Sequence, residues 1–191
     1  MKIIILEGPS TSGKTTVAKL LSDKLLLTGF SVRYVTEDET LMPILSEKDF
    51  QVHLKHLNSL LSGLDNKVDF VVADRFHLTS AAVTNTSISE FNVLENSLIK
   101  YDPLIVFLEI DEEKLGERVF EAMKHRGPSW KAHVESKGSK EDIINWYKQT
   151  QINLLTLLKN SIISYKLIDA TNSNYDNISE QIFNAICNNK N

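Results

Sequence analysis

Apolar positions along this chain fall into two alternating patterns. Ile3-Ile4-Ile5-Leu6, Val68 to Ala73 and Leu104 to Leu108 are short runs with almost no polar residue. Such runs read as strands covered on both faces. The first extends over Lys2 to Glu7 and the third to Glu109, with weaker strand candidates at Ser31 to Thr36 and Ile163 to Ile168. Between the strands, apolar residues recur at three and four positions, the period of a helix with one covered face. Val17, Leu20, Leu21 and Leu25 mark a helix over 16–28 that Gly29 ends. Phe50, Leu54, Leu57, Leu61 and Leu64 mark another, begun at Ser46 with Asp49 three residues on and closed by Gly63 and Asp65-Asn66. Helices are also predicted over 76–84, 89–100 and 111–126. Ser139 caps a long one reaching about Lys159, with Ile144, Tyr147, Leu154, Leu155 and Leu158 inward. Asn177 opens the last, carrying Ile178, Ile182 and Ile186. The stretch 127–138 is polar, with two glycines and a proline, and reads as a loop or flexible lid. With the helix end before it, the lid spans about 118–138.

Strands alternating with helices predict a single three-layer α/β domain over 1–191 with a five-stranded, mostly parallel sheet. Ligands on such sheets bind beyond the carboxyl ends of the strands. Composition narrows the class. The net charge of −4 argues against a nucleic-acid surface. The apolar run at the N-terminus stops at Glu7, too short for a signal peptide, and no run approaches the roughly 20 residues of a membrane span. One cysteine, Cys187, permits no internal disulfide, so a reducing, cytoplasmic setting is expected.

The chemistry concentrates at Gly8-Pro9-Ser10-Thr11-Ser12-Gly13-Lys14-Thr15, a G-x-x-x-x-G-K-T phosphate-binding loop between a strand and a helix. The fold is therefore expected to be of the P-loop NTPase type. Gly8 and Gly13 let backbone N–H groups turn inward onto phosphate oxygens, and Thr11, Ser12 and Thr16 join them. Lys14 reaches the outer phosphates, and the Thr15 hydroxyl suits Mg²⁺. Asp74 closes an apolar strand, the place for a Mg²⁺-directed acid, with a helix N-cap as the plainer alternative. Arg75 beside it suits a phosphate or the acceptor. Arg118 and Arg126 lie on the helix entering the lid, where closure brings positive charge to a migrating phosphoryl group. Glu37, first of the acidic run Glu37-Asp38-Glu39, is placed to take a proton from a substrate hydroxyl. His53 and His56 lack a third ligand and are expected to pack or to lie at the surface.

These pieces resemble the thymidylate-kinase-like and deoxynucleoside-kinase branch of the P-loop kinases. The resemblance is carried by Ile5-Leu6-Glu7-Gly8, by Asp74-Arg75-Phe76 with Thr79 and Ser80, by Val106 to Asp111, by Glu117-Arg118-Val119 and by Ile168-Asp169-Ala170. It implies ATP and Mg²⁺ as cofactors, a small-molecule acceptor beside Asp74-Arg75-Phe76, a helical lid on the arginine helix, and adenine against the loop at Ala170, with homodimerisation left open. Two positions depart from the thymidylate-kinase pattern. Ser10 stands where an acid is usual, and Thr36-Glu37-Asp38 replaces an arginine before Glu-Pro. The second departure leans toward the deoxynucleoside kinases, whose acceptor is an uncharged hydroxyl. A kinase for another small hydroxyl compound, such as an antibiotic or metabolite, and an ATPase or switch without an acceptor remain alternatives. No N-K-x-D segment is present to read guanine in the manner of a GTPase.

Overall fold

A computed structural model describes residues 1–64 and 67–187. The expected helix stop at Asp65-Asn66 and the last four residues lie outside the described residues. The chain runs β1 (Lys2–Glu7), α1 (Lys14–Leu27), β2 (Val32–Val35), α2 (Glu37–Thr40), α3 (Phe50–Ser62) and β3 (Phe70–Asp74). It continues α4 (His77–Thr84), α5 (Asn92–Ile99), β4 (Leu104–Glu109), α6 (Glu112–His125), α7 (Pro128–Glu135), α8 (Lys140–Lys159), β5 (Tyr165–Asp169) and α9 (Tyr175–Cys187). The strands form one sheet in the order β2-β3-β1-β4-β5, and every pairing is parallel.

Alternate side chains of the central strands feed two cores. Ile3, Ile5, Val71, Ala73, Ile105 and Phe107 pack under α3, α4, α5 and α8. Ile4, Leu6, Val72, Val106 and Leu108 pack under α1 and α9. This is the three-layer arrangement, and it explains why the central strands are apolar along almost their whole length. A third, smaller cluster of Val119, Val134, Ile143 and Tyr147 joins α6, α7 and α8 at one end.

Several boundaries differ from expectation for local reasons. The acidic run is helical: Thr36 and Glu39 form a capping box around α2. Asp49 is the cap of α3 rather than its third residue, accepting from the Gln51 N–H at 2.9 Å. Ser87 caps a 3₁₀ turn over Ile88–Phe91, so the helix proper begins later, at Asn92. The last helix begins earlier than Asn177, at Tyr175. The stretch 127–138 is not a loop throughout. Gly127 and Pro128 act as N-cap and first residue of α7, the positions where both residue types start helices. Ile144 is half-buried against Gly116, while Ile143 faces the core beside Tyr147.

Two register facts place the site. Leu6 on β1 lies opposite Asp74 on β3, so the loop after β1 and the Asp74-Arg75 corner leave the sheet side by side. The Arg75 N–H donates to the Leu6 carbonyl at 2.9 Å and extends that contact one residue past the strand.

Candidate active site

The loop between β1 and α1 is shaped by backbone that few residues tolerate. Gly8 has φ +140°, and a side-chain carbon there would lie 2.5 Å from the Leu108 carbonyl oxygen of β4. Gly13 has φ +90°, and any Cβ would overlap the ring of Tyr175. Thr11 sits at φ 72° without glycine's freedom, a strained conformation of the kind that clusters at ligand sites. Its hydroxyl is buried with no partner. Lys14 is 4% exposed, and its ammonium donates to the Pro9 carbonyl at 2.6 Å and to Ser12 Oγ at 3.3 Å. Burial, with the Arg75 charge adding, lowers its pKa to about 7 against the pull of Asp74, Glu37 and Glu7. A polyphosphate in the loop would supply the missing counter-charge.

Thr15, exposed at the start of α1, donates to Asp74 Oδ2 at 2.5 Å. The other oxygen, Oδ1, is buried with no partner. Burial pushes the Asp74 carboxyl above its ordinary value, opposed by the Thr15 hydrogen bond and by Lys14. An oxygen-only pair with one orphaned carboxylate oxygen fits a hard divalent cation.

A second group of charged side chains is built on the same corner. Arg75 holds φ +64° and is 9% exposed. Its Nε donates to Glu37 Oε1 at 2.7 Å, and its Nη1 reaches Thr79 Oγ1 at 3.2 Å and the Gly8 carbonyl at 3.4 Å. Glu37 is fixed because it belongs to α2, and α2 is itself pinned. Thr40 Oγ1 donates to the Asp74 carbonyl at 2.8 Å, and the His56 Nε2 donates to the Glu39 carbonyl at 2.7 Å. His53 bonds the Glu47 carbonyl at 3.2 Å, so both histidines pack. Among the described residues no group of three or more His, Cys, Asp or Glu side chains could hold a metal ion.

Arg118 and Arg126 part company. Arg118, on α6, has its donors engaged by the protein itself. Nη1 donates to the Ala170 and Thr171 carbonyls at 3.0 Å each, and Nη2 to Tyr175 Oη at 2.7 Å and to the Thr11 carbonyl. It ties the loop after β5 to the phosphate loop. Ala170 is fully buried and offers that loop's carbonyl, not a side chain. Arg126 caps the end of α6, exposed, with its guanidinium 4.6 Å from the centre of the Trp130 ring. Its link to the rest is Tyr147, whose hydroxyl burial pushes up while Arg126 and Arg75 both pull it down. Thr16 is exposed one residue beyond Thr15. The structure thus gathers Gly8, Thr11, Ser12, Gly13, Lys14, Thr15, Glu37, Asp74 and Arg75, joins Arg118 and Ala170 from the β5 side, and leaves Arg126 at the rim.

Sequence reasoning gave no site role to Tyr175, Thr40 or Tyr147. Tyr175 meets Gly13 across most of the chain's length, and nothing local signals such a pairing. Glu7 was legible as a charge ending an otherwise apolar strand. It proves fully buried and bonded to the start of α4.

The fold has counterparts among solved structures. The chain superposes on the crystal structure of the YorR protein of Bacillus subtilis in complex with phosphorylated GDP at TM-score 0.67, with 18% identity, covering 97% of this chain and 95% of that one. It superposes on shikimate kinase of Bacteroides thetaiotaomicron at TM-score 0.62, with 14% identity, covering 97% and 98%. The fold is that of the P-loop kinases. In sequence, a probable thymidylate kinase of Metallosphaera sedula is 29% identical over 97 residues, 43% of this chain and 46% of that protein. The chain thus spans less than half the length of the curated relative it matches. No family model matches the chain. The thymidylate-kinase-like resemblance read from the sequence thus has a partial counterpart in that curated relative. No helix among the described residues is long and apolar enough to cross a membrane.

Proposed function

We propose that this protein is a small-molecule kinase that moves the γ-phosphoryl group of ATP to a hydroxyl of a nucleoside or to a phosphate oxygen of a nucleoside monophosphate, with neutral nucleosides preferred. The observation that carries this reading is the Glu37–Arg75 pair, 2.7 Å apart, held at the corner where the phosphate loop and Asp74 leave the sheet. A nucleotide switch needs the loop and the aspartate but has no use for a fixed carboxylate and guanidinium facing them. Glu37 Oε2 has no hydrogen bond among the described residues, so it is available to a substrate hydroxyl. In the step supported here, the acceptor oxygen bonds to the γ-phosphorus and the bridging oxygen leaves with ADP. The hydroxyl proton goes to Glu37. Lys14 and the loop N–H groups orient the phosphates, and Arg75 orients the acceptor. Thr15 and, through water, Asp74 would hold Mg²⁺, which supplies charge neutralisation between the outer phosphates. Arg126 adds positive charge at the rim when the α6–α7 segment closes.

The preference for a neutral acceptor follows from charge. A monophosphate brings about two negative charges that need fixed cations in a dry site. Here Glu37, Asp38 and Glu39 line the neighbouring helix, and one edge of Arg75 is already given to Glu37. The test is initial rates with ATP·Mg²⁺ and thymidine, deoxycytidine, deoxyguanosine, their monophosphates, or shikimate at equal concentration. Neutral nucleosides should turn over faster, and Glu37→Gln should cut kcat at least about 100-fold with little change in KM for ATP. A clear preference for a monophosphate with Glu37→Gln still active would move the base elsewhere. ATP hydrolysis indifferent to every acceptor would leave a nucleotide switch.

A further inference from the structure

The acceptor-side arginine does not stand alone. Glu7, the last residue of β1, is fully buried. Its Oε1 accepts from the Phe76 N–H at 2.9 Å and the Thr79 N–H at 3.2 Å, so it caps the first turn of α4. Its Oε2 accepts from Thr79 Oγ1 at 2.5 Å. A threonine hydroxyl has one proton and two lone pairs. With the proton committed to Glu7, the oxygen can only accept along its other direction, and there Arg75 Nη1 lies at 3.2 Å. The buried carboxylate therefore fixes the sense of the hydroxyl, and the hydroxyl fixes one edge of the guanidinium.

A guanidinium carries five N–H donors. In Arg75, Nε–H goes to Glu37, and the two Nη1 hydrogens go to Thr79 and the Gly8 carbonyl. No described residue accepts from Nη2. Arg75 is thus held at Nε and at Nη1, and its Nη2 hydrogens are left free. Its strained φ of +64° is held by the same contacts. We infer that Glu7 and Thr79 are positioning residues: they hold Arg75 Nη1, which also reaches the Gly8 carbonyl, so that the free Nη2 group is presented to the acceptor. This rests on the acceptor role proposed for Arg75. It adds a specific claim, that a residue preceding the phosphate loop acts on the acceptor and not on ATP.

The test compares Thr79→Val, which keeps the shape and removes the hydroxyl, with Thr79→Ser, which keeps the hydroxyl. Each is made alone and with Arg75→Ala, and thymidine, deoxycytidine or deoxyguanosine is varied at saturating ATP. Thr79→Val should lower kcat/KM for the nucleoside about ten-fold and leave KM for ATP within about two-fold, the size of one hydrogen bond to a charged group. Thr79→Ser should restore wild-type values within about two-fold, and Thr79→Val should add almost nothing once Arg75 is alanine. Glu7→Gln should act like Thr79→Val, because an amide can turn the hydroxyl's proton toward Arg75. A loss of equal size in KM for ATP, full additivity with Arg75→Ala, or failure of serine to rescue would overturn the inference. A second readout needs no turnover: the Arg75 Nη1–H signal in ¹⁵N spectra of the ligand-free protein. It should be protected from exchange in wild type and Thr79→Ser and lose that protection in Thr79→Val. An unchanged signal overturns the positioning claim whatever the kinetics. A changed signal with no acceptor turned over overturns the kinase reading alone.

Discussion

Lys14 is costly to the fold, and in the proposed reading it is needed for the chemistry. Its ammonium is buried against a backbone carbonyl in a loop that offers no carboxylate contact. A charge taken out of water without an ion partner does not stabilise a fold. Lys14→Ala should therefore leave the melting temperature within about 3 °C of wild type or slightly above it. It should lower ATP-dependent transfer at least about 100-fold, because the lysine's attraction is directed at phosphate. Differential scanning calorimetry and initial rates on the same preparation check both halves, and near-normal turnover in the folded variant would take the loop out of the mechanism. At this scale the sequence was most legible where chemistry is local. Gly8, Gly13, Lys14 and Thr15 sit within eight positions, and their spacing predicts the tight loop between β1 and α1 that the structure shows. Arg118 was legible as a cation but not as a tie, because its acceptors Thr11, Ala170 and Thr171 are backbone carbonyls far away in the chain.

Elements were legible in kind and less so at their ends. The strands and long helices announced themselves by periodicity, but α2 and α7 did not. Thr36-x-x-Glu39 is a capping-box signature, but the helix it opens is one turn long and carries no apolar periodicity to mark it. Gly127-Pro128 reads equally as a stop for α6 and a start for α7, and only packing decides. What decides it is Val134, fully buried in the cluster with Val119, Ile143 and Tyr147. That cluster is small, and it is separate from the two cores beneath the sheet. Small clusters open with lower free energy than the global fold. Val134→Ala removes two methyl groups and should cost about 1–2 kcal/mol of local stability. Hydrogen exchange should then quicken over 128–135 several-fold and stay unchanged in β1, β3 and β4. In wild type the same segment should gain protection only when ATP and a nucleoside are both present. Protection independent of ligand, or a Val134→Ala effect spread evenly through the sheet, would count against α7 as a closing element.

At the scale of the whole molecule, alternation of strands and helices fixed the layers but not the strand order. Nothing in Phe70–Asp74 or Leu104–Glu109 says that both flank β1, since parallel strands carry no pairing code beyond being apolar on both faces. A buried polar hub helps hold that assembly together. Glu95 on α5 is fully buried and accepts from His77 Nε2 of α4 at 2.9 Å, from Ser161 Oγ, and from the Ile162 N–H at 3.3 Å. It joins two helices to the turn that leads into β5. Burial alone would push the Glu95 carboxyl up, but the hydrogen bonds from His77 and Ser161 outweigh it and hold the group below its ordinary value. A carboxylate depressed in the folded state contributes stability that is fully present above the unfolded pKa, about 4.3. That contribution is lost as pH falls from the unfolded value through the folded one. Glu95→Gln keeps the shape, removes the charge and leaves one of the three donors badly served. It should cost about 1–3 kcal/mol at pH 7, measured by urea unfolding. Below pH 4 the gap between wild type and variant should narrow, because the wild-type carboxyl is then protonated in the unfolded chain and is forced toward protonation in the native one. In the Glu95→Gln variant the His77 ring faces a neutral amide at every pH. A gap that stays constant from pH 7 to pH 3.5 would therefore mean that Glu95 contributes shape and hydrogen bonding without its charge.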